Sequence, residues 1–478
     1  MHELVASLFM GEYLVLRPGS PNGLKIPHSK YLQLGKIEAA GGVCPAWLVD
    51  AAHLAWNLEI SGRVVNDAVI VRTQSPYGYG RASYELNLGC NYDCEHCYLG
   101  LKTFSRLSWP ERERLLRIMR EAGVLWLQLT GGEPLIDKLF PEVYELAYQL
   151  GMMINISSNG SRLPSRKILE LLTTRRPYRL TLSVYGATAE SYDGLTRRRG
   201  SFAAFTKGLA AARDAGLPIN LNLIVARRNA HEVDQMIALA ESYALPHHVF
   251  SNMAPTIYGG PESMPAQSVE HLRKRKPFTG CNAGHAFFHV DPHGLVSICK
   301  VGRDPQISLM EEGVEGLSRL AAIADSLLLS PGWLHRLHPE RRMRHVHAAR
   351  DAVPQGEGTT VRVLPTLIRE VGNMAPVPVE IAPRPVETDE IVFVEDWMNS
   401  SSHRSVAAML ATTSRTEHLR RRAVPRTCSG SARPFTQHER EYCVNVAYPL
   451  GRPLRRHPQR HPGTGWYCTV GAGSVGRS

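Results

Sequence analysis

The chain has no apolar run of the roughly 18 residues that a membrane-spanning helix needs. Its start, MHELVASLFMGEYL, has neither a basic segment nor a small-residue cleavage site, so no secretion signal is read there. Aromatic residues are scarce at 7%, yet hydrophobic residues reach 43%, which argues against wholesale disorder. Lysine is missing from a third of the molecule: all ten lie at or before Lys300, and 178 residues follow without one. The 478 residues suffice for two to four domains, each with its own core.

The formal charge of +11 is unevenly spread. Residues 1–332 hold 34 Lys and Arg against 31 Asp and Glu, whereas residues 333–478 hold 21 against 13. The later part is rich in Arg, His and Pro, as in RRMRHVH, LRRRAVPR and PLRRHPQRHPGTG, and loses periodicity beyond short runs such as EIVFVEDW. No segment expected to fold carries a concentrated basic face interleaved with aromatics, so a nucleic-acid partner is not expected, nor a membrane.

Residues 1–78 read as a small α+β unit, a hairpin of EYLVLRP and GLKIPHSKYLQL about the turn-rich PGSPNG, followed by helices near 30–40 and 45–56. From residue 79 to 270, strand-like and helix-like runs alternate. Six strands, SYELNLG, VLWLQLT, MMINISSNG, YRLTLSVYG, PINLNLIVA and HHVFSNM, are separated by crossovers, the pattern of a parallel α/β sheet, doubly wound or barrel-like. Such a sheet works at the C-terminal ends of its strands. There lie GCNYDCEHCYLG, TGGEP, SSNGS and SVYG, none of which a core requires.

Cys90, Cys94 and Cys97, spaced C-x3-C-x2-C, can wrap a soft metal centre. Structural zinc usually takes four ligands in C-x2-C pairs, and no second pair follows. Three ligands leave one iron of a [4Fe–4S] cluster open to a substrate or cofactor.

With GGEP after the second strand and SSNG after the third, this motif resembles the radical S-adenosylmethionine (SAM) superfamily. The resemblance implies a partial (β/α)6 TIM-type barrel, a [4Fe–4S] cluster held by Cys90, Cys94 and Cys97, and SAM bound to its open iron. It also implies that His96 takes a usually aromatic position, that Gly131, Gly132, Glu133 and Pro134 meet the methionyl amino group, that Ser158 and Asn159 approach the ribose or carboxylate, and that Ser183 assists. One-electron reduction would cleave SAM to methionine and a 5′-deoxyadenosyl radical that abstracts a substrate hydrogen. A low-potential donor such as ferredoxin or flavodoxin, and a reducing cytoplasm, go with that chemistry. No catalytic acid or base can be chosen. Cys44 and the histidines at 247, 248, 285 and 289 are expected to be structural.

Residues 271–332 contain Cys281, Gly294 and Cys299 in a spacing that resembles the first half of the SPASM extension, which binds auxiliary [4Fe–4S] clusters in peptide-modifying members. The alternative is a hairpin turning at DPHG with two free cysteines. That family points to a peptide or protein substrate, with the N-terminal unit as a leader-recognition module. The expected activity is a maturase that crosslinks a ribosomally made peptide. The alternatives are a sulfatase-type maturase oxidising Cys or Ser, and an iron–sulfur redox sensor. Arg197, Arg198 and Arg199 either meet an acidic peptide or form a solvated loop.

The second half of the extension is missing from the frame. In codons ending in G or C, reading one base on creates Cys codons at Leu334-His335, Leu337-His338, Met343-Arg344 and Val346-His347, which restores C-x2-C-x5-C-x2-C. Residues 333–478 are therefore expected to be an out-of-frame translation, the competing reading being a disordered basic tail. Resequencing the locus is expected to show a frame break shortly before Trp333, and an uninterrupted frame with a tryptic peptide from residues 430–478 would contradict it.

Overall fold

The computed structural model describes residues 2–274, 282–329, 391–394 and 403–405, the last as backbone only. The expected tail, Cys281 and residues 275–280 otherwise lie outside the described residues.

The N-terminal unit is a sheet of β1 (Leu4–Phe9), β2 (Glu12–Leu16), β3 (Gly23–Ile26) and β4 (Val69–Val71) in the order β3-β2-β1-β4. Helices His28–Ala39 and Ala46–Trp56 lie where their sequence patterns place them. One sheet face and these helices enclose Leu4, Leu24, Ile26, Leu34, Leu48 and the buried Cys44. β1 extends the expected hairpin to a three-stranded meander.

The barrel strands are β5 (Arg81–Glu85), β6 (Trp126–Thr130), β7 (Met153–Ser158), β8 (Arg179–Val184), β9 (Ile219–Ile224) and β10 (His247–Phe250), all parallel and each beside its sequence neighbour. That consecutive order is singly wound, the topology of an unclosed barrel rather than of a doubly wound sheet. Leu127, Leu129, Ile154, Ile156, Leu180, Leu182, Leu221 and Leu223 pack outward against the crossover helices. The alternate positions, Ser83, Gln128, Asn155, Ser157, Thr181, Asn220 and Asn222, share the other face.

After β10 the chain crosses to the opposite edge, where β11 (Phe287–Val290) joins β5 in parallel. β12 (Leu295–Ser297) and β13 (Ile307–Ser308) follow antiparallel. The DPHG turn is a hairpin, with Asp291 Oδ1 accepting from His293 N and Leu295 N at 2.8 and 2.9 Å. Within EIVFVEDW, β14 (Val392–Val394) adds to the free edge of β3, and β15 (His403–Ser405) adds to β14.

The other face of the N-terminal sheet covers the bottom of the barrel. Val5, Phe9, Leu14 and Leu16 pack against Leu125, Trp126, Met153 and Tyr178, which lie at the N-terminal ends of the barrel strands. Arg72 clamps the two units, donating to Gly151 O at 2.9 Å and Val124 O at 2.7 Å.

A second buried arginine holds the top. Helix Trp109–Glu121 starts at Ser108, whose N–H donates to Glu111 Oε2 at 2.7 Å in a capping box. This start places Arg112 inside, where it donates to Asp137 Oδ1 and Oδ2 at 3.0 and 3.1 Å and to Leu86 O at 2.8 Å. Both side chains of the pair are fully buried. Removing Arg112 leaves the buried Asp137 carboxylate with Arg106 Nε at 3.4 Å and Asn87 Nδ2 at 3.1 Å as its only side-chain partners. Arg112→Met is expected to lower unfolding free energy by about 3–5 kcal/mol in urea denaturation, and a loss under about 1 kcal/mol would contradict the clamp.

Candidate cluster and cofactor site

The cysteine loop leaves the C-terminal end of β5 and is fastened by its backbone. Asp93 N donates to Thr196 O at 2.9 Å and Glu95 N to Leu195 O at 3.1 Å, docking the loop on the end of helix Ala189–Thr196. Lys102 Nζ donates to Tyr92 O and Asp93 Oδ1, both at 2.7 Å. Arg197 also lies against this loop, 3.8 Å from Asp93 Oδ2.

Cys90, Cys94 and Cys97 are half-buried and free of disulfides. Burial, and after it the Glu133 carboxylate and Cys97, push the Cys90 thiol up to about 12. Burial raises Cys94 and Cys97 as well, and for Cys94 the other two thiols add to it. Three adjacent thiolates are thus unfavourable here unless a cationic centre joins them, which a metal cluster does. Among the described residues no three Cys, His, Asp or Glu side chains converge on a single ion position. The donor set itself, three thiols in C-x3-C-x2-C that can each take a different iron, fits a [4Fe–4S] cluster.

GGEP and SSNG are locked to this loop. Gly131 has φ +134°, and a Cβ on it would lie 2.3 Å from Asn87 O; one on Gly132 would lie 2.1 Å from Gly89 O. Only glycine fits at either position. Gly132 N donates to Asn87 O at 2.9 Å and Glu133 N to Gly89 O at 3.0 Å, zipping the turn to the backbone entering Cys90. Pro134 then opens a 3-10 turn, Pro134–Ile136.

Glu133 is fully buried. Its Oε1 accepts from Leu135 N at 3.0 Å and Ser158 Oγ at 2.8 Å, and its Oε2 from Asn159 N at 2.7 Å. Asn159 Nδ2 reaches Asn91 Oδ1 at 2.9 Å, and Asn91 Nδ2 returns to Ser161 Oγ at 2.9 Å. Three sequence motifs thereby become one hydrogen-bonded body. Ser158 and Asn159, expected at the cofactor, also hold this lock together.

His96 is half-buried beside the cysteines with its buried Nδ1 unpartnered, its ring 5.4 Å from Tyr185 at the end of β8. Burial, with Lys102 adding to it, lowers its pKa to about 4, so the ring is neutral. Burial raises the Tyr185 phenol well above its ordinary value, and the Ser183 side chain opposes that rise. An orphaned buried nitrogen at the strand ends fits a polar ligand group arriving there.

Sequence reasoning missed a charged network inside the barrel. Arg303 Nη2 forks onto Glu85 Oε1 and Oε2 at 2.8 and 2.9 Å, and Tyr98 Oη donates to Glu85 Oε1 at 3.1 Å. His289 Nδ1 and Ser83 Oγ are 2.8 Å apart, and Lys300 Nζ donates to Gln128 Oε1 at 2.8 Å. Burial alone would raise the Glu85 carboxyl; His289 and Arg303 outweigh it and hold it at about 2. Burial lowers Lys300 to about 8. The network joins Tyr98, next to Cys97, to the loop of Cys299, which is half-buried and accepts from Gly302 N at 3.1 Å. The signal for it was the strict alternation in WLQLT, RLTLSV and INLNLI, which turns a polar face inward. Cys281, its expected partner, lies outside the described residues. His289 belongs to this network, and His285 pairs with Asp325 at 3.0 Å.

Residues 84–240 match the Radical SAM superfamily model, so a radical SAM domain is present there. Enzymes of that superfamily use a [4Fe–4S] cluster and SAM. Curated relatives include the AdoMet-dependent heme synthase of Methanosarcina barkeri, 32% identical over 35% of this chain and 49% of its own length. The PqqA peptide cyclase of Methylocella silvestris is 30% identical over 33% and 42%. The GTP 3',8-cyclase of Syntrophomonas wolfei is 28% identical over 38% and 58%. The chain therefore spans about half the length of these relatives. Among solved structures, Streptococcus suis SuiB bound to S-adenosylmethionine aligns at TM-score 0.43 and 13% identity over 60% of this chain and 75% of that one. No helix among the described residues is long and apolar enough to cross a membrane.

Burial outweighs the three donors around Glu133 and pushes its pKa from 4.5 up to about 7. A carboxyl raised in the folded state stabilises the apoprotein fully below about pH 4.5, and that contribution is lost as pH rises through about 7. Glu133→Gln sets an NH2 group against the Asn159 N–H. Urea titrations at pH 5 and 7.5 are expected to show about 1–3 kcal/mol lost, with the wild-type decline over that window flattened. An unaltered pH slope would contradict this assignment.

Proposed function

We propose that the radical SAM domain of residues 84–240 makes this chain a maturase of ribosomally made peptides, installing a carbon–carbon, thioether or similar crosslink. The observation carrying the chemistry is the single body formed by the cysteine loop, GGEP and SSNG around Glu133. When bound, a [4Fe–4S] cluster supplies the electron that splits SAM into methionine and a 5′-deoxyadenosyl radical, which takes a hydrogen atom from the substrate.

The protein binds, orients and excludes water. Cys90, Cys94 and Cys97 would hold the cluster. An ammonium group donates hydrogen bonds and needs acceptors. Since the N–H groups of Gly132 and Glu133 are already used, the carbonyls of this turn are what it leaves for the methionyl amino group. Ser158 and Asn159 act through Glu133, as positioning residues. His96, Tyr185 and Ser183 form the polar wall at the end of β8. Glu85, Arg303 and Lys300 line the interior where a substrate would lie, and Cys299 with Cys281 would start an auxiliary cluster. A ferredoxin or flavodoxin would supply electrons.

The matched relatives are named for a heme synthase, a peptide cyclase and a GTP cyclase, so the domain alone does not choose a substrate. The peptide reading is supported by the N-terminal unit, whose β3 edge takes an extended segment in antiparallel register. A leader-recognition role for residues 1–78 follows from it.

Anaerobically reconstituted chain with dithionite and SAM is expected to form 5′-deoxyadenosine, measured by liquid chromatography. Replacing Cys90, Cys94 and Cys97 with Ala abolishes it. No product from a chain with a loaded cluster would favour the redox sensor, and product formed only with a Cys- or Ser-containing sulfatase peptide would favour the sulfatase-type maturase.

A further inference from the structure

Lys300 carries a positive charge into the barrel that the described residues leave unmatched. Its loop follows β12 and is pinned at both ends: Ser297 Oγ donates to Cys299 O at 3.0 Å, and Arg303 Nε donates to Lys300 O at 2.8 Å. The ammonium group reaches across to β6. There it donates to Gln128 Oε1 at 2.8 Å, a neutral amide and its one acceptor among the described residues. Glu85 is the one carboxylate at the inward positions of β5 to β9, and the Arg303 fork already holds both its oxygens. A charge inside a barrel is costly unless an anion meets it.

The chain of bonds continues into β7. Gln128 Nε2 donates to Ser157 Oγ at 2.6 Å, which leaves the Ser157 hydroxyl proton without an acceptor among the described residues. Asn155 stands opposite Gln128 in the β6–β7 register, and its Oδ1 is buried with no partner among them. Gln128, Asn155, Ser157 and Lys300 are each half-buried, so they line space that solvent reaches. An ammonium group has three N–H donors, of which Gln128 takes one. Two N–H groups and one hydroxyl are therefore unspent donors, beside an unspent amide acceptor. A carboxylate suits the donors and a neighbouring peptide N–H suits the acceptor.

We propose that Lys300 and Ser157 grip a carboxylate of the peptide substrate, while Asn155 Oδ1 accepts from the substrate backbone. The substrate class narrows accordingly to peptides with an acidic side chain, or a free C-terminus, near the reacting residue. Gln128 is the positioning residue that spaces the two donors. This rests on the reading that a peptide enters the barrel.

The binding test needs neither cluster nor SAM, so it can fail while the maturase reading stands, and stand while that reading fails. Trifluoroacetyl-Gly-Glu-Gly-amide, its Gln counterpart, and the Gln counterpart with a free C-terminal carboxylate are titrated with the full chain at neutral pH, and fluorine NMR line widths give the affinities. One or both carboxylate peptides are expected to bind at least about tenfold more tightly than the neutral one, and the difference between them tells side chain from C-terminus. Lys300→Met is expected to bring them down to the neutral peptide, and Ser157→Ala to weaken them. Lys300→Arg should retain most of the preference, which separates lost charge from lost folding. Equal affinities for the three peptides, no binding of any, or a carboxylate preference that survives Lys300→Met overturns the proposal. A preference that survives while Lys300→Met lowers the iron content of the reconstituted chain would instead make Lys300 a counter-charge for a cluster at Cys299.

Discussion

One buried carboxylate organises the open end of the barrel. Glu133 draws Leu135 N, Ser158 Oγ and Asn159 N onto its two oxygens, and through Asn159 it reaches Asn91 in the cysteine loop. The glycines before it let β6 press against the backbone of residues 87–89, where any side chain would collide. Arg112 and Asp137 brace the same backbone from the helix side, through Leu86 O and Asn87 Nδ2. The geometry of the three thiols is therefore set by neighbours in both strand and helix layers, and the loop that carries them has little freedom of its own. Preorganisation of this kind is what a reactive centre needs.

The polar interior answers a second constraint. Parallel strands covered on both faces read as continuous hydrophobic runs, whereas β6, β8 and β9 alternate. One face packs on helices, and the other holds Ser83, Gln128, Thr181, Asn222 and the Glu85–Arg303 fork. The N-terminal sheet covers the bottom of this interior with Val5, Phe9, Leu14 and Leu16. Barrel strands of five or six residues rise about 16–20 Å at roughly 3.3 Å per residue.

Period and punctuation in the sequence located nearly every barrel element. MMINISSNG and PINLNLIVA contain β7 and β9, and WPERERLLRIMREAG contains its helix, because alternation, capping and helix-stopping glycines are local signals. The same reading found the cysteine loop, GGEP and SSNG and expected Ser158 and Asn159 at the cofactor, but it did not find the Glu133 hydrogen bonds that hold them. That Glu133 claims them depends on contacts across 25 and 26 residues. Arg303 meets Glu85 across 218 residues, and no local pattern announces such a pairing. β1 was passed over because the hairpin after it carried the stronger turn signal. EIVFVEDW stood out only as a short run, and that it adds to β3 follows from an edge the tail sequence does not contain.

The central claim is that Cys90, Cys94 and Cys97, held by the Glu133 lock, form a site for a cluster with one iron open to SAM. Electron paramagnetic resonance of the anaerobically reconstituted, dithionite-reduced chain tests it most directly. The account predicts a reduced [4Fe–4S] signal that changes shape when SAM is added and vanishes in the triple Cys→Ala chain. A signal indifferent to SAM, or iron retained without the three cysteines, would contradict it.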